Sequence, residues 1–133
     1  MARGAGYLLV IGEHDKGLGE PFPDTTLSGR RLRAITATLD VPVTITNMAT
    51  PQRTTPTKQR IRALQRQAKE ATAVVFLGRR VEQALRDHIP HGRYLPHPAA
   101  RRRADALALR EGLTTLARHK LRLKEGESTV RRH

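Results

Sequence analysis

The chain carries two unbroken apolar runs, Tyr7-Leu-Leu-Val-Ile11 and Ala73-Val-Val-Phe-Leu77. Runs without polar alternation are typical of strands that are covered on both faces, as in a parallel sheet. Two further runs are candidates for strands, Val41-Pro-Val-Thr-Ile-Thr46 and, more weakly, Arg93-Tyr-Leu-Pro96. Together the four runs predict a four-stranded sheet.

Segments with helical spacing follow these runs, and each places apolar residues on one helical face. The faces comprise Leu27, Leu32, Ile35 and Leu39; Ile61, Leu64 and Ala68; and Val81 and Leu85. A fourth predicted helix carries Leu107, Leu109, Leu113 and Leu116. Parallel neighbours need a crossover, which is usually a helix. The alternation therefore predicts an α/β fold, a three-layer α/β/α sandwich with a mostly parallel four-stranded sheet. We expect the fourth helix to begin near Ala99 or Ala100.

The length of 133 residues is that of one domain. We assign residues 1–119 to the α/β domain. Residues 120–133 are charged and nearly free of large apolar side chains after Leu123. This composition predicts a basic, flexible C-terminal tail.

Charge and composition narrow the functional classes. Lys and Arg number 25 and Asp and Glu 12, a net charge of +13, which attracts polyanions such as nucleic acid; membrane surfaces and acidic proteins are the rival partners. The lack of cysteine excludes disulfides, thiolate zinc sites and cysteine-ligated iron–sulfur clusters. The first apolar run is too short for a signal peptide or a spanning helix, and the histidines are loosely spaced for a metal site. We therefore expect a cytoplasmic monomer that binds nucleic acid, with no membrane, metal or cofactor.

Polar residues follow the strands at the sheet edge where open parallel sheets bind ligands. Gly12, Glu13 and Asp15 follow the first run, Asn47 follows the second, and His97 follows the fourth. The loop after the first strand has neither the Walker nor the dinucleotide-binding spacing of glycines. By itself it is therefore interpreted as a flexible strand-to-helix turn rather than as a phosphate-binding loop.

Three of the loop residues suit recognition of a planar base. Phe22 lies between two prolines, which restrict its backbone, so its ring is either a stacking platform or a hydrophobic plug at the sheet edge. The Asn47 amide offers a donor and an acceptor to a pyrimidine edge, although a strand-end Asn also commonly caps a turn. His97 is flanked by prolines and followed by Arg101, Arg102 and Arg103.

Four blocks of sequence, in order, resemble the uracil-DNA glycosylase superfamily, especially its short Gly-Glu type. The blocks are Leu8-Leu-Val-Ile-Gly-Glu13 with Pro21-Phe22, then Val43-Thr-Ile-Thr-Asn47, Ala73-Val-Val-Phe-Leu-Gly78 and Tyr94-Leu-Pro-His-Pro98. The chain departs from the family pattern in two places. Gly12-Glu-His-Asp-Lys16 stands where the family usually has Gly-Glu-x-Pro-Gly, and Ala99 stands where a Ser usually follows His-Pro.

The resemblance implies a DNA glycosylase that acts on single- or double-stranded DNA, flips out uracil or a related modified pyrimidine and hydrolyses its N-glycosidic bond. It implies catalytic roles for Glu13 and His97 with Asp15 in reserve, base binding by Gly12, Phe22 and Asn47, and DNA binding by Arg101, Arg102 and Arg103. Two alternatives stay open. One is a catalytically weak or inactive DNA-binding member of the superfamily, and the other is an enzyme that acts on free nucleotides or nucleosides.

Overall fold

A computed structural model describes residues 7–13, 22, 26–49 and 55–130, with side chains described as far as residue 118. Strands and helices alternate along the chain. The elements are β1 (Leu8–Gly12), α1 (Leu27–Thr36), β2 (Val43–Asn47), α2 (Lys58–Glu70), β3 (Ala73–Leu77), α3 (Arg79–Leu85), β4 (Arg93–Leu95) and α4 (Arg103–Val130).

The strands form one sheet in the order β2-β1-β3-β4, and every neighbouring pair is parallel. The predicted α/β sandwich is confirmed, with a sheet that is parallel throughout rather than mostly so. Because all strands run the same way, their carboxyl ends meet at one edge. We call this the carboxyl edge and the opposite one the amino edge.

Two apolar cores cover the two faces of the sheet. One contains Leu9, Ile11, Val74 and Phe76 with side chains from α2 and α3. The other contains Leu8, Val10, Val75 and Leu77 with side chains from α1 and α4. Alternate residues of β1 and β3 therefore enter opposite cores, which is why neither strand has a polar face.

Two leucines of the predicted helices are exposed, and the shared face predicted for Leu27 was wrong. Leu27 is 51% and Leu107 50% exposed. Leu107 precedes the buried Leu109 by two residues, which is about 200° around a helix, and Leu27 is about 140° from Leu32 on the same count. Neither residue can therefore share the face that its neighbour buries.

The boundaries of α4 differ from the expected ones. The helix begins at Arg103 rather than near Ala99 or Ala100. The preceding residues form a turn in which the Ala100 N–H donates to the His97 carbonyl at 3.0 Å. Its backbone continues to Val130, past the predicted domain boundary at residue 119, and the flexibility of the segment stays a prediction. Within the described part of the chain, no helix combines the length and apolarity needed to cross a membrane.

Candidate functional site

The carboxyl edge brings the ends of β1 and β2 side by side. Gly12 and Asn47 are register partners, each the last residue of its strand. Beyond them the Met48 N–H donates to the Gly12 carbonyl at 2.8 Å, and the Ala49 N–H donates to the Glu13 carbonyl at 3.0 Å. The pairing therefore continues past the strands and fixes Glu13 next to the end of β2.

The ring of Phe22 lies on the backbone of Gly12. A Cβ atom built on Gly12 would lie 2.7 Å from Phe22 Cζ and 3.0 Å from Asn47 Oδ1. Phe22 has a φ of 49°, which non-glycine residues rarely adopt. Its carbonyl accepts a 2.7 Å hydrogen bond from Arg33 Nε. Helix α1 thus holds the strained loop residue, and the ring reaches β1 only because Gly12 has no side chain.

Asn47 is buried, with 9% of its surface exposed. Its carbonyl accepts hydrogen bonds from Arg60 Nε at 3.1 Å and Arg60 Nη2 at 2.7 Å, and the same Nη2 donates to Thr46 Oγ1 at 2.7 Å. The planar guanidinium of α2 thereby fixes the end of β2. The amide that the sequence predicts to read a base consequently sits on a rigid backbone.

His97 reaches the same place from the loop after β4. Its ring centroid lies 5.7 Å from that of Phe22, with the two rings tilted by 47°. Its Nδ1 accepts the Ala99 N–H at 3.0 Å. A neutral imidazole with Nδ1 as acceptor carries its proton on Nε2, so His97 is arranged as an Nε2–H donor. A side-chain carbon added to Gly78 would lie 3.8 Å from His97 Cβ, which is an ordinary contact distance. The backbone conformation is what favours glycine here, because its φ of 96° is rare for residues with a side chain.

Glu13 pairs with a residue that sequence reasoning missed. Its Oε2 lies 3.0 Å from Arg80 Nη1, and the two side chains are 28% and 70% exposed. Arg80 lies in the first turn of α3, which starts at the carboxyl edge immediately after β3. Its position after a strand end is the only signal in the sequence, because nothing local indicates that two residues so far apart meet.

The structure brings Gly12, Phe22, Asn47 and His97 together, with Glu13 following Gly12 directly. Arg101, Arg102 and Arg103 are exposed at the start of α4, on the chain just after His97. Arg31 connects that loop to α1, since its Nη1 donates to the Pro98 carbonyl at 3.1 Å. Asp15 lies outside the described residues.

The described residues contain no group of three or more His, Asp or Glu side chains placed to hold a metal ion. Comparisons with protein-family models and with curated proteins find no match to this chain.

Proposed function

We propose that the protein binds uracil or a related pyrimidine extruded from DNA and hydrolyses its N-glycosidic bond. The observation that carries this proposal is the convergence of an aromatic ring, a buried amide and an oriented imidazole at one sheet edge. Phe22 contacts Gly12, Asn47 Oδ1 lies beside Gly12, and the His97 ring is 5.7 Å from the Phe22 ring.

These groups match the parts of a pyrimidine. An aromatic ring offers a stacking face, which contributes about 1–3 kcal/mol per base in single-strand complexes. The Asn47 amide can donate to a carbonyl oxygen and accept from a ring N–H, the pair of functions that uracil presents on its edge. Arg60 holds the main chain at Asn47, which favours recognition because a fixed backbone position loses little entropy on binding.

The reaction divides between His97 and Glu13. As the bond between C1′ of the sugar and N1 of the base breaks, its electron pair passes to the base and charge develops on the O2 oxygen. The His97 Nε2–H would donate to that oxygen more strongly in the transition state than in the ground state. Glu13 would stabilise the cationic sugar and accept a proton from the water that adds to C1′, while the base takes a proton from solvent.

The ion pair between Glu13 and Arg80 favours a second candidate, a DNA-binding protein with weak or no catalysis. An adjacent guanidinium compensates part of the negative charge that would stabilise a cationic sugar. Because the pair is partly exposed, DNA phosphates can compete for Arg80. The two candidates share the base-binding site and differ only in bond cleavage.

Base release from labelled oligonucleotides separates them. The panel contains U·G, U·A, single-stranded U and several modified pyrimidines, tested with the wild type, Glu13→Gln and His97→Ala. Base release, detected as alkali-labile sites, whose rate falls strongly in both variants supports the glycosylase. Selective binding of DNA that carries the target base, without release of the base from any substrate in the panel, favours the non-catalytic protein. Release at an unchanged rate in both variants contradicts the assigned site.

A further inference from the structure

A groove of about 440 Å³ opens between α2 and the loop that precedes β4. We call it the α2 groove. Its floor is formed by the buried Ala68 and Ile89, and its walls carry Arg62, Arg66 and Lys69. It lies towards the amino edge of the sheet, because α2 ends and β4 begins there. It is therefore separate from the site around Gly12 and His97.

The three cationic side chains of the α2 groove form one row. Positions 62, 66 and 69 are spaced by four and three residues, so they share one face of α2 over about 10 Å of helix. All three residues are exposed, and none of the described residues that line the groove is acidic. A DNA duplex carries about six charges over the same length. The row therefore matches a phosphate backbone better than it matches a single small anion.

The opposite wall of the groove is held in place. Gln65 Nε2 donates to the His88 carbonyl at 3.0 Å, which connects the loop to α2. The Ile89 N–H donates to the Leu85 carbonyl at 2.8 Å, and the Gly92 N–H to the Ile89 carbonyl at 3.0 Å. His88 and His91 lie on this wall as further polar groups. A pre-formed groove loses less conformational entropy when it binds a ligand.

We propose that the α2 groove binds the DNA phosphate backbone as a second contact, separate from the base-binding site. The proposal rests on the proposed function in taking DNA as the partner. Helix α2 links the two surfaces, since Arg60 near its start holds Asn47 and Lys69 near its end lies in the groove. The α2 groove and the base-binding site therefore lie towards opposite ends of one helix, and a duplex that contacts both has to run along α2.

The test compares Arg62→Gln/Arg66→Gln with the control Arg110→Gln/Arg118→Gln. Both variants lower the net charge from +13 by two, and all four arginines are exposed on helices. Glutamine keeps a helix propensity close to that of arginine. Binding of a uracil-free duplex is measured as a function of salt, and circular dichroism checks that each variant is folded.

Each lost phosphate contact should lower the salt slope of log affinity by about 0.9, so the groove variant should lose about 1.8 and the control little. Between about 50 and 200 mM salt the wild type would then lose about tenfold more affinity than the groove variant. Equal slopes for the two variants, or no salt-dependent binding by the wild type, overturn the proposal.

A second measurement uses the unaltered chain. Duplex DNA should slow acetylation of Lys69, and an unchanged rate overturns the proposal even if a variant fails to fold. Both measurements use DNA without a target base. Failure of base release with a positive groove result would contradict only the proposed glycosylase. Base release with a negative groove result would contradict only the binding of DNA in the α2 groove.

Discussion

The Phe22 ring occupies the space that a side chain on Gly12 would need. A Cβ atom at Gly12 would lie 2.7 Å from Phe22 Cζ, well inside normal carbon–carbon contact. We expect Gly12→Ala to displace the ring, lower the free energy of unfolding by about 1–3 kcal/mol and abolish selective base binding. Chemical denaturation and binding to DNA that contains an extrudable uracil measure the two effects.

Gly92→Ala provides the matched control for this substitution. Its Cβ atom would also meet an aromatic ring, 2.7 Å from Phe76 Cε1, but towards the amino edge of the sheet. It should lose comparable stability and keep base selectivity under conditions in which both variants are folded. Equal loss of selectivity in the two variants would show that selective base binding is lost through lower stability rather than through displacement of the Phe22 ring.

His97 should contribute through its Nε2–H rather than through charge. Loss of one donor to a developing oxyanion typically costs 10²- to 10³-fold in rate, so His97→Ala should slow single-turnover release by about that factor. His97→Gln should recover part of the rate, because its amide can place an N–H near the position of Nε2. Binding of the product with an abasic site should change little in either variant. A rate unchanged in His97→Ala would remove this residue from the mechanism.

Tyr7 gives a prediction about alkaline stability. Its hydroxyl donates to the Gln67 carbonyl at 2.6 Å, and burial, followed by the charge of Glu70, raises its pKa above the usual 10.0. The folded protein therefore retains the Tyr7 proton at pH values where the unfolded chain has lost it. The contribution of the Tyr7 hydroxyl to the free energy of unfolding is complete below pH 10 and declines as pH rises from there towards the pKa of the folded state.

Tyr7→Phe should lower the free energy of unfolding by about 0.5–1.5 kcal/mol at neutral pH through the lost hydrogen bond. The difference in stability between wild type and variant should shrink above pH 10, since the variant has no proton to lose at this position. Urea unfolding at a series of pH values measures that difference and cancels the ionisation of the lysines. A difference in the free energy of unfolding that stays constant to high pH would contradict the link between ionisation of Tyr7 and stability.

Strands β1 and β3 were predictable because nearly all of their consecutive residues are buried and apolar. Ala73–Leu77 has the predicted bounds, and β1 and β2 end one residue after the predicted runs. Parallel topology then places whatever follows each strand at one edge. Gly12, Asn47 and His97 could therefore be expected together without knowledge of any side-chain conformation.

The parts of the site that the sequence did not predict depend on helix orientation and backbone geometry. The ion pair of Arg80 with Glu13 requires the first turn of α3 to face the end of β1. The anchorage of Asn47 by Arg60 likewise requires α2 to cross close to β2. The positive φ of Phe22 has no sequence signal, since such a conformation is rare for a bulky residue. These are long-range consequences of packing, which periodicity does not encode.

The Arg60 anchor offers a test of whether the rigidity of Asn47 matters. Arg60→Lys keeps the charge but cannot reproduce a guanidinium that donates through both Nε and Nη2 to the Asn47 carbonyl. We expect a loss of about 1–3 kcal/mol in the free energy of unfolding and a weaker preference for uracil over cytosine. Arg110→Lys, at an exposed position of α4 outside the proposed DNA contacts, should change stability by less than about 0.5 kcal/mol and leave base preference intact. Competition binding with matched uracil and cytosine duplexes measures the preference. If Arg60→Lys keeps its preference despite lower stability, base reading does not depend on a fixed β2 terminus, and Asn47 acts through its side chain alone.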